Sequence, residues 1–324
     1  MKYHAFFTTQ YTQICLEQCC FGASVSNSLA NVKNGDIAFL FDGLKRALFG
    51  PLDIISEEQY IDKRPIYGTD KRGQIRYKNR VWFKIERAKK TPIVELYSTE
   101  KSPRKLSYLL NRYLIATLIA NKQVNATPLT QSEGDYLMEQ CLNLGKTLQA
   151  TSTQIPLDVK PVFSQDVLRR PISEATVELL ILNKRCHGYL LSFLRFFSAK
   201  ASYFNQFVFG FQRQCDIVID AQDRLALIEI KKARNLQDPY DQIIEYLYYC
   251  LSSFRLHHNR STAIESIDLL AIIEYGSKYL NSDAVKAFTK KCSEITGSEH
   301  IVIIPHTVNY KVSKGTLETK LYKA

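Results

Sequence analysis

The sequence lacks several features that would place it in a familiar class of protein. No uninterrupted apolar stretch approaches the ~20 residues that a membrane-spanning helix needs. The first ten residues, MKYHAFFTTQ, do not have the charge and apolar pattern of a signal peptide. The eight cysteines contain no CxxC pair, and without an export signal they are expected to be reduced, buried thiols. These absences favour a cytoplasmic protein with no membrane partner.

The histidines and serines also lack the spacings of two common kinds of hydrolase. None of the six histidines has HxxxH or HExxH spacing, which argues against a zinc hydrolase, and no GxSxG is present for a Ser/His/Asp hydrolase. Apolar residues make up 45% of the chain and charged residues 23%. These ordinary globular values exclude disordered, collagen-like and coiled-coil proteins.

Length and charge indicate two domains and a polyanionic partner. The 324 residues are enough for two domains of about 150 residues, each with its own core. With 43 basic and 32 acidic residues, the net charge is +11. No basic amphipathic helix stands out, so nucleic acid is favoured over an anionic membrane. Charge alone does not decide between these partners.

The pattern of elements changes along the chain. The first hundred residues contain short apolar stretches separated by turn residues, which predicts a small, partly open β-barrel. Helices are predicted over 102–122 and 132–148, followed by a stretch with two prolines and no periodicity. After it, strands alternate with helices, as in an α/β domain with a mixed sheet. The predicted organisation is an N-terminal domain (1–125), a helical connector and linker (126–165) and a C-terminal domain (166–324).

The most informative stretch is a predicted hairpin in the C-terminal domain. Two apolar strands, CDIVID and LALIEIKKA, are joined by the polar turn DAQDR. Glu229 and Lys231 are two residues apart and share a face, and Asp216 lies near Glu229 if the hairpin pairs around residues 220–224. An Asp and a Glu that converge form a site of hard oxygen ligands for Mg²⁺ or Mn²⁺. With a lysine to orient water, these residues could carry out metal-assisted phosphodiester hydrolysis.

Two neighbouring helices add polar residues to this hairpin. Gln242 and Tyr246 are four residues apart and lie on one face of the next helix. The upstream helix supplies Glu178, and Glu174 one turn earlier competes for the same role. Charged residues beside a strand are usually solvated strand ends, which is the simpler interpretation. Against it, carboxylates within strongly apolar strands are costly unless they are paired or bind metal.

At these residues the chain resembles the PD-(D/E)XK nuclease superfamily. The core of that superfamily is an acidic helix, a hairpin that carries D and (D/E)xK, and a helix that can carry QxxxY. The corresponding residues in this sequence are Glu178, Asp216, Glu229-Ile230-Lys231 and Gln242 with Tyr246. Cys215 stands where the family name has proline. The resemblance covers roughly residues 166–310 and implies a restriction-endonuclease-like mixed sheet flanked by helices.

The resemblance also implies roles for individual residues. Asp216, Glu229 and the Ile230 carbonyl would bind Mg²⁺ or Mn²⁺, and Glu178 would be an outer or second-metal ligand. Lys231 would position the attacking water. Gln242 belongs to the catalytic group through the QxxxY motif.

The N-terminal segment resembles a different family. The order of CCFGAS, VKNGDIAFLFDGLKRALFGPLDI and RVWFKIE is similar to that of the PUA-like superfamily, especially its EVE, YTH and DCD-type members. Members of that group often read a modified base in an aromatic pocket. Candidates for such a pocket are Phe21, Phe41, Tyr60, Trp82 and Phe83, with at most one of the last two facing a ligand. The simpler interpretation is that these aromatic residues fill the barrel core.

Together these observations predict a metal-dependent endodeoxyribonuclease, specifically a modification-dependent restriction enzyme that defends its host against foreign DNA. Arg213, Lys232 and Arg234 are expected to contact the phosphate backbone. Two alternatives stay open: a structure-specific DNA-repair nuclease, and a non-catalytic nucleic-acid-binding protein on a nuclease scaffold. RNA is not distinguished from DNA as the substrate. A homodimer would supply two sites for two strands, although nothing in the sequence requires one.

Overall fold

The structure is a computed structural model that describes residues 1–24, 27–92, 126–149, 154–162, 173–182, 201–210, 213–257, 262–295, 300–313 and 316–322. The chain forms two compact units, the first of residues 1–164 with the short segments 210–212 and 254–258, and the second of the remaining residues from 165 to 324. Each unit has its own β-sheet, which confirms a mixed α+β organisation with two sheets. The predicted helix over 102–122 lies outside the described residues. No helix in the described ranges has the length and apolar character that crossing a membrane requires.

The first unit is built on a ten-stranded sheet that curls into a half-barrel. Its strands are β1 (Tyr3–Thr8), β2 (Cys20–Ala23), β3 (Ile37–Asp42), β4 (Ala47–Ile54), β5 (Tyr60–Ile61), β6 (Asn79–Lys84), β7 (Lys89–Pro92), β8 (Ala126–Leu129), β9 (Lys146–Thr147) and β10 (Lys160–Pro161). The main path through the sheet is β10-β5-β6-β4-β3-β1-β8, with β2 on β6 and β7 between β4 and β9. Strands β1 and β3 are parallel, and β3 pairs with β4 as an antiparallel neighbour.

Two helices of the first unit are α1 (Thr12–Glu17) and α2 (Gln131–Leu144). Helix α2 begins with a capping box in which the Thr130 side chain accepts from the Glu133 N–H and the Glu133 carboxylate accepts from the Thr130 N–H. It packs closely on β1, because a Cβ built on Gly134 would lie 1.9 Å from the Tyr3 ring. Only a glycine permits this approach, so a helix interior that normally disfavours glycine contains one here.

The region predicted as a connector contributes strands to the first sheet. Strand β8 pairs antiparallel with β1, β9 pairs with β7, and β10 pairs with β5. The predicted helix over 132–148 is observed as α2, which ends before Gly145. The described parts of 126–162 therefore belong to the first unit, because the apolar strand β8 and the inner face of α2 are buried against its sheet.

The second unit contains a six-stranded sheet in the order β11-β12-β13-β14-β15-β16. Its strands are β11 (Ser202–Gly210), β12 (Arg213–Asp220), β13 (Arg224–Lys231), β14 (Ser266–Glu274), β15 (Val302–Ser313) and β16 (Thr316–Leu321). The helices in the second half of the chain are α3 (Glu174–Leu182), α4 (Pro239–Leu251), α5 (Phe254–His257) and α6 (Ser282–Glu294). Strands β13, β14 and β15 are mutually parallel, whereas β12 and β16 run antiparallel to their neighbours.

Helices cover the centre of this sheet. Helices α3 and α4 both pack on β13, α4 also contacts β12 and β14, and α6 packs on β15. Helix α4 begins at Pro239, with the Asp238 side chain accepting from the N–H groups of Tyr240 and Asp241. Nearly every residue of β13 and β14 is buried. This burial explains why these strands read as continuous apolar runs and not as an alternating pattern.

Two strands of the second sheet were not predicted from the sequence. Strand β11 has the sequence SYFNQFVFG, in which aromatic residues flank Asn205 and Gln206, and β16 follows a chain reversal after β15. Residue 206 has a φ of +51°, which interrupts the regular alternation of side chains along β11.

Candidate active site

The β12–β13 hairpin brings the predicted acidic residues together. Ile217 pairs with Ile228, and the turn closes where the Ala221 N–H donates to the Arg224 carbonyl. Asp216 lies one residue before that pair, and Glu229 lies one residue after it on the other strand. The Ile230 N–H donates to Asp216 Oδ2 at 2.9 Å, so the hairpin itself holds this carboxylate.

Glu229 and Lys231 form an ion pair within the same strand. Lys231 Nζ lies 2.5 Å from Glu229 Oε1, and the two residues are 6% and 1% exposed. Among the described residues, no partner hydrogen-bonds to the buried atom Glu229 Oε2. A buried carboxylate oxygen with no protein donor is costly and is well suited to a cation.

Burial dominates the electrostatics of the hairpin carboxylates. It raises the pKa of Asp216 to about 6, although the Ile230 N–H and the Lys231 ammonium group favour the charged form. Burial and the neighbouring Asp216 raise the pKa of Glu229 well above its usual value. For Lys231, burial acts to lower the pKa, but the Glu229 and Asp216 carboxylates outweigh it and the pKa is raised. Folding therefore disfavours two ionised carboxylates at this site, and a bound cation would favour their charged forms.

The two candidate acids of helix α3 have different partners. The Gln206 side-chain amide donates to Glu178 Oε2 at 2.7 Å and to Asp216 Oδ1 at 3.4 Å, which links Glu178 to the hairpin. Glu174 Oε1 instead accepts from the Lys232 N–H at 2.9 Å and from the Asn235 side chain. Glu174 thus fixes the loop after β13, although its charge also contributes to the raised pKa values of the hairpin acids.

Helix α4 presents the predicted Gln242 and Tyr246 to this region. The Gln242 side-chain N–H donates to the Tyr246 hydroxyl oxygen, and Gln242 Oε1 is buried without a hydrogen-bond partner in the described part of the chain. Burial, followed by the charge of Glu229, raises the pKa of Tyr246. The QxxxY residues therefore border the same pair of carboxylates.

A hard divalent cation fits the two hairpin carboxylates. Within the described ranges, no three His, Cys, Asp or Glu residues are grouped closely enough to form a metal site of protein ligands alone. Mg²⁺, however, is often bound by one or two carboxylates and completes its shell with water and substrate phosphate. The two neighbouring carboxylates and the unpartnered Glu229 Oε2 match that mode of binding.

The predicted phosphate contacts lie at the open end of the hairpin, where β12 begins and β13 ends. Arg213 begins β12, and its side chain is outside the described part of the structure. Lys232 is half-buried and Arg234 is exposed in the loop that follows β13. Both residues follow the Glu229–Lys231 pair closely in the sequence.

The first unit contains a separate aromatic pocket of about 100 Å³. Three tyrosines in its wall pack edge to face: the ring centroids of Tyr11, Tyr67 and Tyr77 are 5.5 to 5.6 Å apart. The remaining lining residues are Phe7, Thr8, Thr9, Gln10, Cys15, Phe21 and Gly22. Aromatic walls of this kind are suited to a planar ring.

A buried arginine holds the segment that carries two of these tyrosines. Arg80 is fully buried, and its guanidinium lies 5.3 Å from the centre of the Tyr67 ring. It donates to the Tyr77 carbonyl at 3.1 Å, the Arg64 carbonyl at 2.7 Å and Asp62 Oδ2 at 2.5 Å. Tyr77 has a φ of +50°, which is uncommon for a bulky residue and is supported here by Arg80.

Only one of the five predicted aromatic candidates lines this pocket. Phe21 does so, whereas Phe41 and Trp82 are 2% exposed and lie in the cores of the first unit. Phe83 is also in the core, and Tyr60 packs edge to face on Trp82. These positions match the simpler interpretation that the strand aromatics fill the core.

Sequence reasoning missed Gln206 and the three tyrosines. Tyr67 and Tyr77 flank the turn-rich stretch GTDKRGQIR, so aromatic residues at both ends of a long polar loop were the available signal. For Gln206, the signal was a polar pair inside an aromatic strand.

Comparison of the chain with models of protein families gives no match, and neither does comparison with curated proteins or with solved structures.

Proposed function

We propose that this protein is a metal-dependent endodeoxyribonuclease of the PD-(D/E)XK type, which hydrolyses phosphodiester bonds at the β12–β13 hairpin. The observation that carries this proposal is the set of the partly buried Asp216 and the buried Glu229 and Lys231, in which two carboxylates converge and one carboxylate oxygen has no hydrogen-bond partner among the described residues. Such a set costs stability unless it binds a cation.

Asp216, Glu229 and the Ile230 carbonyl would hold Mg²⁺ or Mn²⁺, with Glu178 as an outer or second-metal ligand. When bound, the metal ion would supply Lewis acidity toward the phosphate and lower the pKa of water. The raised pKa of Lys231 keeps its side chain protonated. Lys231 therefore orients the attacking water and offsets phosphate charge by donating hydrogen bonds, and it does not act as the base.

The aromatic pocket supports the second part of the proposal, that the first unit reads a modified base. Bases stack on aromatic side chains, and a base in a duplex would have to be flipped out to enter such a pocket. Tyr11, Tyr67 and Tyr77 offer these surfaces. A reader of modified bases coupled to a nuclease would act in restriction of foreign DNA.

A cleavage assay with variants tests the nuclease proposal. Asp216→Ala and Lys231→Ala should each reduce cleavage in Mg²⁺ by at least about a hundredfold, because each removes several kcal/mol of transition-state stabilisation. DNA binding should be largely retained, as measured by fluorescence anisotropy. Asp220→Ala, on the same strand but at the turn, is the matched control and should cut normally. Normal cutting by the first two variants would refute the assignment of the site.

The choice of substrate tests the reader proposal. The protein should cut DNA with modified bases faster than unmodified or branched DNA of the same sequence. Tyr11→Ala should remove that preference and leave Mg²⁺-dependent cutting of unmodified DNA unchanged. Preferential cutting of branched DNA would favour a repair nuclease. Tight binding of nucleic acid without any cutting would favour a non-catalytic binding protein.

A further inference from the structure

Gln206 has a backbone conformation that a glutamine rarely adopts. It lies in the middle of strand β11 with a φ of +51°, in the left-handed region that L side chains disfavour. Its carbonyl accepts from the Gln214 side chain at 3.3 Å, so β12 supports this conformation. Strained residues persist only where their surroundings hold them, and they concentrate at functional sites.

The unusual backbone directs the Gln206 side chain at two acids of the candidate active site. Its Nε2 atom lies 2.7 Å from Glu178 Oε2 and 3.4 Å from Asp216 Oδ1. A primary amide has two N–H donors, so one nitrogen can donate to both carboxylates. Glu178 comes from helix α3 and Asp216 from strand β12, and Gln206 bridges these two separate elements.

The chemistry of an amide suits this position. Two carboxylates close together repel each other, and a neutral donor holds them without neutralising them. A lysine or arginine there would instead compete with a divalent cation for the same negative charge. A carboxylate oxygen has two lone pairs, so accepting a hydrogen bond from an amide does not by itself prevent it from binding a metal ion.

We propose that Gln206 is a positioning residue that sets the spacing of Glu178 and Asp216 for a divalent cation. The inference rests on the proposed function of this site, and it adds a residue outside the hairpin and helix motifs. Partners that orient metal ligands in this way typically contribute ten- to a hundredfold to metal affinity.

Replacement of Gln206 by glycine tests the role of the side-chain amide independently of the unusual backbone conformation. Gln206→Gly removes the side chain and readily adopts a positive φ, so the folded protein should melt no lower than the wild type. Gln206→Met keeps the length of the side chain without the amide. Gln222 is the matched control, because it is also a glutamine with a positive φ (+73°) and lies exposed in the β12–β13 turn.

The experiment measures Mn²⁺ binding to the full chain by isothermal titration calorimetry, together with the Mg²⁺ concentration that gives half-maximal cleavage. Gln206→Gly and Gln206→Met should bind Mn²⁺ ten to a hundred times more weakly and need correspondingly more Mg²⁺. Gln222→Gly should behave as the wild type in both measurements. A purely structural role for Gln206 would change the melting temperature and leave metal affinity unaltered.

Two results would overturn the inference in distinguishable ways. If the wild type binds Mn²⁺ and Asp216→Asn does not, unchanged affinity in either folded Gln206 variant refutes the role of Gln206 alone. If the wild type itself binds no Mn²⁺ and cuts no DNA, the proposed function fails and this inference fails with it.

Discussion

Replacing Asp216 with asparagine should stabilise the metal-free protein while it abolishes cleavage. Burial raises the pKa of Asp216 from 3.8 to about 6. Because a difference of one pH unit in pKa corresponds to about 1.4 kcal/mol, this raised pKa costs the folded state about 3 kcal/mol at neutral pH. Asparagine keeps an acceptor for the Ile230 N–H but loses the bond from Gln206, worth about 1 kcal/mol. The free energy of unfolding of the metal-free protein should therefore rise by about 2 kcal/mol at pH 7.

The sign of the pH dependence follows from the direction of the shift. A carboxyl whose pKa is raised by folding binds its proton more tightly in the folded state, so the wild type loses stability as the pH rises through the interval from 3.8 to about 6. Asparagine does not titrate, and its advantage should therefore be largest at pH 7. The free-energy cost of ionising Asp216 in the folded state, which asparagine removes, should fall to roughly half at pH 5 and to under about 1 kcal/mol at pH 4.

Hydrogen exchange monitored by mass spectrometry measures this effect where it occurs. Trp82 is the only tryptophan and lies in the first unit, so its fluorescence reports that unit and not the hairpin. Exchange of the β12 and β13 amides in EDTA gives the opening free energy of the site directly. Asp220→Asn is the control on the same strand. An Asp216→Asn protein that is no more stable than the wild type at pH 7, or a gain independent of pH, would refute the reasoning.

Two further predictions concern buried ion pairs. Arg80→Met leaves the buried Asp62 with only the partly exposed Arg64 as a partner, so the free energy of unfolding of the first unit should fall by about 3 kcal/mol. Urea unfolding followed by Trp82 fluorescence measures this change, and an unchanged unfolding midpoint would contradict the prediction. Bonds from His306 and Arg224 outweigh burial and lower the pKa of Asp268. The stabilising contribution of Asp268 is therefore present above pH 4 and lost on acidification. Asp268→Asn should accordingly lower the opening free energy of β14, measured by hydrogen exchange, at pH 7 but not below pH 3.

The hairpin could be predicted because its information is local. Apolar runs on both sides of a polar turn define the two strands, and the two-residue period places Glu229 and Lys231 on one face. The observed turn at 221–224 agrees with the predicted pairing. Helix α4 was recognisable for the same reason, from Asp238 and Pro239 at its start.

Other parts of the site could not be predicted because they depend on contacts between distant segments. Glu174 and Glu178 are equivalent by helical spacing, and only their partners, Lys232 and Gln206, distinguish them. The conformation of Gln206 depends on its packing beside β12, which no local pattern specifies. The pairing of β8 with β1, more than a hundred residues away, could not be predicted for the same reason.

The sequence by itself determined two β-containing units, a net charge of +11 and a hairpin that carries an Asp, a Glu and a Lys. These properties depend on composition and short-range alternation. Tertiary structure alone decided that both hairpin carboxylates have raised pKa values and that Gln206 bridges two of the acids. It also decided that three tyrosines line the pocket, with Phe21 as the one predicted aromatic residue among its lining residues. Burial and convergence are properties of long-range packing, and side chains far apart in sequence acquire a common environment only when the sheets assemble.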